Sequence, residues 1–333
     1  MVLAIIEKIK KLLQKKGEEK KAKPSKYTIG AFIDWYQGIL NTTTKFRLNA
    51  FQYIAFSLII SIVVAIVGAL IITTLFPNIS SFVTVVFFLV SMDVLLGYPY
   101  YLAIKRIDEI ETELPNALKQ MADVLKAGGT YESALREVAT TDMGPLTKEL
   151  ELVLRKTEEG ESLENALRDF GDAINSRLVK RSVTVIVDTV KAGAGLADVL
   201  DDIADDIRAM HRIEKERITE TLLQVIFIVA AGAFVAPGIL GLVTSLVNLF
   251  IKAASQLKIG EALVLEAVNA KNTIVFLIQI YIFVEVTAAS VMVALMRHGK
   301  MGKSLVYLPI LLLIAYAIYY SSAMVSESFL GGF

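Results

Sequence analysis

The most regular feature of the sequence is a set of five long apolar runs that carry few charges. They cover residues 50–75, 82–103, 222–249, 273–296 and 304–323. A helix needs about 20 such residues to cross the hydrocarbon core of a bilayer. The pattern therefore predicts five transmembrane helices. It divides the chain into an N-terminal region (1–49), two spans (50–103), a polar middle (104–221) and three further spans (222–333).

The polar middle shows a different pattern, with apolar residues spaced three and four positions apart and runs that end at glycines. This spacing predicts amphipathic helices and no strands. We expect one helix to begin at Pro115, because proline fits the first turn of a helix. Thr130 and Ser162 are expected to cap the helices that follow them.

Part of the polar middle is repeated. Residues 122–139 and 187–204 are identical at six of eighteen positions, and residues 160–170 form a weaker third copy. Each copy predicts a helix, a glycine turn and an antiparallel helix, and such hairpins bury their apolar stripes by stacking. The fold class is therefore all-α, with a bundle of about six helices joined to the transmembrane helices. The expected turn glycines are Gly128, Gly129, Gly160, Gly193 and Gly195.

Charge is unevenly distributed along a chain whose net charge is zero. Residues 1–49 have a net charge of +7, residues 104–221 have −8, and the loop 297–303 carries Arg297, Lys300 and Lys303. Basic loops remain on the cytoplasmic side of a membrane. We expect the N-terminus and the bundle in the cytoplasm and the C-terminus outside. Residues 1–16 form a basic amphipathic pattern that is typical either of a helix lying on anionic membrane lipids or of a frayed basic tail.

The last helix of the polar middle carries a run of acidic residues. They are Asp198, Asp201, Asp202, Asp205 and Asp206. Helical spacing places most of them on one face. That face is either an ordinary solvated surface or an acidic dock for a basic surface on a cytosolic partner. A divalent-cation site is the least favoured interpretation, because the ligands do not follow the order of an EF-hand.

Three features stand out within the spans. Asp93 and Glu285 are carboxylates in membrane segments, where such groups are costly and mark candidate functional sites. They could serve subunit packing or contact with a membrane segment of a partner, a proton relay, or no function beyond structural accommodation. Pro237 and Gly238 predict a kink in the third span, where nearby glycines would also let helices approach closely.

Several function classes find no support in the residues. The absence of cysteine excludes thiol catalysis and iron–sulfur clusters. The two histidines, His211 and His298, are far apart and are expected to be a solvated helix residue and a loop residue. The motif "GKMGKS" (299–304) lacks the first glycine of a phosphate-binding loop. We therefore expect no enzyme activity, no cofactor, no metal site and no nucleic-acid partner.

The residues of the repeats resemble a known family. The segments "ELPNALKQMADVLKAGGTYESALREVA" (113–139), "EEGESLENALRDF" (158–170) and "VDTVKAGAGLADVLDDIADDI" (187–207), followed by "AAGAFVAPGILG", are similar to the F-type platform proteins of type II secretion systems, type IV pili, archaeal pili and archaella. Many members carry two such cytoplasmic domains, whereas this chain has one. The difference implies a homo-oligomer or pairing with a second platform subunit.

The resemblance implies a multi-pass inner-membrane platform that couples a cytosolic hexameric secretion ATPase to the extraction of pilin-like subunits. The rival interpretation is a transporter or channel that uses Asp93 and Glu285, since broken helices such as the third span often line binding sites. The large polar bundle and the lack of an obvious inverted repeat argue against this rival.

Overall fold

The computed structural model describes residues 33, 36–40, 49–75, 82–192, 195–256 and 261–330. Within these ranges the chain forms helices and turns, with no strand. The expected all-α class is confirmed. The amphipathic pattern at 1–16 and the turn residue Gly193 lie outside the described residues.

From Ala50 onward, eleven α-helices follow one another along the described chain. They are α1 (Ala50–Leu75), α2 (Phe82–Lys126), α3 (Tyr131–Thr140), α4 (Pro145–Glu158), α5 (Leu163–Ala173), α6 (Arg177–Ala192), α7 (Leu196–Glu220), α8 (Leu222–Val229), α9 (Ala236–Gln256), α10 (Glu261–His298) and α11 (Ser304–Leu330). A π-helical turn (Ala230–Val235) joins α8 to α9, and a 3₁₀ turn (Met301–Lys303) precedes α11.

Five helical segments of the described chain are long and apolar enough to cross a membrane, as expected from the sequence. They are α1, the first half of α2, α8 with α9, α10, and α11. Helix α11 is central to this group, because it packs against α9, α10 and α2. The buried side chains of the membrane cluster come mainly from α10 and α11, including Ile282, Leu312 and Tyr319.

The polar middle folds into the expected bundle of six helices, formed by the second half of α2 together with α3 to α7. One core contains buried residues from all six, including Ile110, Leu135, Leu146, Leu200 and Ile207, none more than 1% exposed. Leu135, Leu200 and Ile207 occupy positions that the three–four spacing marked as apolar. Their burial supplies the hydrophobic free energy that holds the hairpins together.

The expectation that a helix begins at Pro115 is wrong. Helix α2 runs without interruption from Phe82 to Lys126 and contains both Pro99 and Pro115. Proline inside a helix removes one backbone hydrogen bond and usually ends the helix. Here, neighbouring elements supply the lost donors, as described below, so α2 passes from the membrane region into the bundle as one rod of 45 residues.

The turns of the bundle follow the local chemistry of the sequence. Gly128 has a φ of 89°, and the amide of Gly129 donates to the Val124 carbonyl at 3.0 Å, which closes the end of α2. A Cβ on Gly129 would lie 2.9 Å from that carbonyl oxygen, so only glycine fits. The expected caps are confirmed, because Thr130 and Ser162 accept hydrogen bonds from the first turns of α3 and α5.

Candidate functional site

Helix α7 presents the acidic run toward solvent, but not uniformly. Leu200, Ala204 and Ile207 are buried against the bundle core, which turns the opposite face outward. Four of the five aspartates, at positions 198, 202, 205 and 206, are exposed on that face. The nearest cation on the same helix is Arg208, whose Nη1 lies 3.5 Å from Asp205 Oδ1.

The fifth aspartate has a structural partner. Asp201 forms ion pairs with Lys119 and Lys126 of α2, the second at 2.5 Å, and its side chain is only 18% exposed. The hydrogen bond from Lys119, reinforced by that from Lys126, lowers the pKa of Asp201 to about 2. In turn, the bond to Asp201 raises the pKa of Lys126. Asp201 therefore joins α7 to α2 and contributes little charge to the exposed face.

The two prolines of α2 leave carbonyls that neighbouring side chains satisfy. Pro99 cannot donate to the carbonyl four residues earlier, and the hydroxyl of Tyr53 in α1 donates to that Leu95 oxygen at 3.0 Å. The Tyr36 hydroxyl donates to the next carbonyl, that of Leu96, at 2.9 Å. The backbone before Pro99 thus becomes an attachment point on α2 for α1 and for the stretch 36–40.

The same arrangement occurs in the bundle. Pro115 leaves the carbonyl of Glu111 without its helical donor, and His211 Nε2 in α7 lies 3.1 Å from that oxygen. A carbonyl only accepts, so the tautomer that makes this bond carries its proton on Nε2. The Glu111 carboxylate accepts from the hydroxyl of Ser176, which caps α6. The expectation of a solvated His211 is therefore wrong, since it joins α7 to α2.

The loop between α10 and α11 is attached to the base of the bundle. Lys303 Nζ donates to Asp108 Oδ2 of α2 at 2.6 Å, and Arg217 Nη2 of α7 donates to the Arg297 carbonyl at 3.4 Å. A Cβ on Gly302 would lie 1.9 Å from the Tyr100 hydroxyl oxygen, so only glycine allows this contact with α2. The first and last helices of the bundle therefore both touch the loop that joins the last two spans.

The two membrane carboxylates lie on different helices, Asp93 on α2 and Glu285 on α10. Asp93 Oδ2 and Glu285 Oε2 are buried and have no hydrogen-bond partner among the described residues. Gln279, six positions before Glu285 on α10, donates to the Tyr320 hydroxyl at 3.1 Å. A role for either carboxylate stays a prediction.

The third span departs from regular α-helix just before its Pro-Gly pair. The π-helical turn Ala230–Val235 directly precedes Pro237. Beyond it, Ser322 Oγ of α11 donates to the Gly238 carbonyl at 2.6 Å, and a Cβ on Gly241 would lie 2.4 Å from the Tyr319 carbonyl oxygen. The glycines thus let the backbones of α9 and α11 approach closely.

Taken together, the geometry defines a class of protein: an all-α multi-pass membrane protein with a polar helical bundle that is continuous with its spans. Among the described residues, no group of three or more His, Asp or Glu is placed to hold a metal ion.

Residues 117–244 match the family model described as Type II secretion system (T2SS), protein F. The match covers α3 to α8 completely, together with the end of α2 and the first part of α9, and it confirms the resemblance expected from the repeats. Searches of curated proteins and of solved structures found no similar chain.

Sequence reasoning missed the residues that connect elements, because each acts across a long separation in the chain. Asp108 and Lys303 are 195 positions apart, and Glu111 and His211 are 100 apart. The signal that could have found some of them is proline. A proline inside a helix requires another donor to the carbonyl four positions earlier, and a tyrosine or histidine is a suitable donor.

Proposed function

We propose that this protein is the inner-membrane platform of a type IV pilus-like or type II secretion-like machine. In this role it couples a cytosolic hexameric ATPase to the lifting of pilin-like subunits out of the bilayer. The main support is the family match over residues 117–244 on a bundle that continues directly into the membrane helices. The chain supplies mechanical coupling and no chemistry.

The proposed orientation places the bundle in the cytoplasm. The basic loop 297–303 touches the base of the bundle, so both lie on the same side of the membrane. Basic loops remain inside, which puts the N-terminus and the bundle in the cytoplasm and the C-terminus outside. The protein is then a multi-pass protein of the cytoplasmic membrane.

The contacts at the base of the bundle suggest how movement reaches the spans. Helix α7 passes into α8 through Thr221 with its helical hydrogen bonds maintained, and α2 crosses the same boundary as one rod. The Lys303–Asp108 and Arg217–Arg297 contacts add the last two spans to this connection. A push on the bundle would therefore act on four of the five spans together.

The exposed aspartates of α7 form the proposed ATPase contact, which we call the acidic face and define as Asp198, Asp202, Asp205 and Asp206. Complementary charge speeds and orients such an encounter more than it tightens it. Asp201 is left out, because changing it would break the pairs with Lys119 and Lys126 and so alter the bundle itself.

The experiment is co-purification from native membranes. A variant in which all four residues of the acidic face become asparagine should recover at least tenfold less ATPase than the wild-type chain. The matched control removes the same charge at four exposed carboxylates outside α7, by Glu132→Gln, Glu151→Gln, Glu159→Gln and Asp188→Asn. Equal recovery from both variants would remove the acidic face from the proposal.

A transporter remains the second candidate, because Asp93 and Glu285 each hold a buried oxygen without a hydrogen-bond partner among the described residues. Asp93→Asn and Glu285→Gln separate the two functions. Impaired filament assembly in a protein that still reaches the membrane supports the platform. Normal filaments combined with a lost ion or solute flux support the transporter.

A further inference from the structure

A cavity of about 760 Å³ lies where the bundle meets the membrane spans. We call it the junction cleft. Tyr101 of α2 together with Val306 and Tyr307 of α11 line its membrane end. Its bundle end is lined by α2 and by the loop before α4, which includes Asp142 and Gly144.

The cleft carries more negative than positive charge. Four carboxylates line it, at Asp108, Glu109, Glu113 and Asp142, against the ammonium groups of Lys105 and Lys303 and the imidazole of His298. Lys303 pairs with Asp108 at 2.6 Å, whereas Lys105 lies 3.8 Å from Glu109. His298 Nε2 is engaged with the Tyr307 hydroxyl at 3.0 Å.

The remaining two carboxylates have no cation. Glu113 accepts a hydrogen bond from the side-chain amide of Asn116, and Asp142 accepts one from the backbone amide of Gly144. Neither forms an ion pair among the described residues, although many other carboxylates of the bundle do. The bundle end of the cleft thus offers unneutralised negative charge close to the membrane.

An apolar stripe on α2 leads from the spans into this cleft. Val94, Tyr98 and Tyr101 are spaced four and three residues apart and are 48%, 57% and 41% exposed. The same spacing continues through Lys105 to the cleft carboxylates, so the stripe and the carboxylates share one face of the helix. A second helix packed along the stripe in the bilayer would therefore end at the junction cleft.

We propose that the junction cleft binds the basic inner end of a partner's transmembrane helix. A span whose N-terminus is cytoplasmic carries its Lys and Arg at the inner boundary of the membrane. Packing of that span on the α2 stripe would bring these cations to Glu113 and Asp142, while its apolar part replaces lipid. The proposal rests on the platform role and names the part of the lifted subunit that the platform recognises.

The geometry favours a partner over the N-terminal region of this chain. The stretch 36–40 is attached at the Leu96 carbonyl, which lies two residues from Val94 and Tyr98 and therefore on the opposite side of α2 from the stripe. A second cavity of about 710 Å³, which shares Ile104 and Asp108 with the junction cleft, borders that stretch at Gly38 and Ile39. The stretch 36–40 thus lies beside the second cavity, whereas the stripe leads to the first.

The test uses the absence of native cysteine in this chain. Thr112→Cys places a single thiol in the cleft, and Thr184→Cys is the control, since both threonines are exposed and donate to a carbonyl four residues earlier. Each full-length variant is reconstituted in phosphatidylcholine vesicles. The probe is a synthetic single-span Leu/Ala peptide that begins with Lys-Lys-Lys-Cys or with Gln-Gln-Gln-Cys. Dissolved oxygen with a copper–phenanthroline catalyst is the oxidant, and the rate of disulfide formation is measured.

The Lys-ended peptide should cross-link to the Thr112→Cys variant at least fivefold faster than the Gln-ended peptide, with no such preference in the Thr184→Cys variant. Glu113→Gln with Asp142→Asn should remove the preference, and Glu151→Gln with Asp188→Asn should keep it. Equal rates for the two peptides at the cleft thiol would overturn the proposal. So would a preference that survives the cleft substitutions, or a cleft thiol consumed mainly by a second copy of the chain.

This assay contains no ATPase and no filament, so its failure leaves the platform role to the co-purification experiment. A chain that recovers the ATPase but shows no peptide preference is a platform whose substrate binds elsewhere. A chain that recovers no ATPase yet prefers the Lys-ended peptide keeps the cleft and loses the proposed coupling.

Discussion

The bundle and the membrane spans are built on opposite distributions of polar groups. In the bundle, apolar side chains such as Leu135 and Leu200 are buried and the charges lie outside. In the spans, large apolar side chains such as Phe56 and Phe227 are exposed, at 59% and 72%. Hydrogen-bonding side chains such as Ser61, Gln279 and Ser290 are buried there, beside apolar ones such as Ile282 and Leu312. Water and lipid therefore select opposite residues for the surface of one continuous chain.

This difference decides what holds each region together. Burial of apolar area from water drives association of the bundle helices. Lipid is already apolar, so helices in the membrane associate through packing and hydrogen bonds. Two hydrogen bonds between spans illustrate this. Ser322 Oγ donates to the Gly238 carbonyl at 2.6 Å, and the Tyr316 hydroxyl donates to the Gln279 carbonyl at 2.8 Å.

The largest expected effect comes from matched cavities in the two regions. Leu200 in the bundle and Leu312 in the spans are both 0% exposed. Leu200→Ala should cost about 2–5 kcal/mol of local stability. Leu312→Ala should cost roughly 2 kcal/mol less, because lipid offers leucine a medium as apolar as the core and the transfer term of about 0.8 kcal/mol per CH₂ disappears.

Hydrogen exchange in lipid nanodiscs, read by mass spectrometry over peptides around each site, measures the local opening free energy. The wild-type chain gives the reference at both positions. An equal decrease in opening free energy at Leu200 and Leu312 would mean that water reaches the opened spans. The proposed difference in what stabilises the two regions would then be wrong.

The sequence predicted the bundle better than it predicted the spans, for a physical reason. A helix at a water boundary shows its buried side through the spacing of apolar residues, which marked Leu135, Leu200 and Ile207 correctly. A helix in lipid is apolar on every side, so no spacing shows which face meets a neighbour. The five spans could be predicted from length and composition, but not the central position of α11.

The candidate site was predictable only in part. The exposure of Asp198, Asp202, Asp205 and Asp206 follows from the helical repeat. The separate role of Asp201 does not, because its partners Lys119 and Lys126 lie 82 and 75 positions away. The junction cleft joins residues of α2, the loop before α4, and α11, and only the packed structure brings them together.

A smaller loss of stability is expected from removing the side-chain donors beside the two prolines of α2. Pro99 lies in the membrane region and Pro115 lies in the bundle. Tyr53→Phe removes the donor to the Leu95 carbonyl, and His211→Leu removes the donor to the Glu111 carbonyl. An unpaired buried carbonyl costs about 1–3 kcal/mol. Tyr53→Phe should cost a free energy near the upper end of this range, because its carbonyl lies beside lipid. His211→Leu should cost a free energy near the lower end, because water can replace the imidazole in the bundle.

Double-mutant cycles with Pro99→Ala and Pro115→Ala test the cause. Alanine restores the backbone N–H, so each donor loss should cost less in the alanine background than in the wild-type chain. The same hydrogen-exchange measurement on peptides from α2 reports both cycles. Additive effects would show that the prolines and the donors are unrelated.

The smallest effect is a pH dependence confined to the bundle. The folded pKa of Asp201 is about 2, below the value of about 3.9 for an unpaired aspartate. The ion pairs with Lys119 and Lys126 therefore stabilise the folded chain fully above about pH 4, and this contribution is lost as the pH falls toward 2. Asp201→Asn should lower the melting temperature in detergent at pH 6 by a few degrees or less, since the pair is partly exposed. The difference from the wild-type chain should vanish near pH 2.

Asp202→Asn is the control, because Asp202 is exposed and forms no ion pair among the described residues. This substitution should change the melting temperature little at either pH. A difference between the wild-type chain and Asp201→Asn that stays constant from pH 6 to pH 2 would show that Asp201 acts through packing and not through its charge.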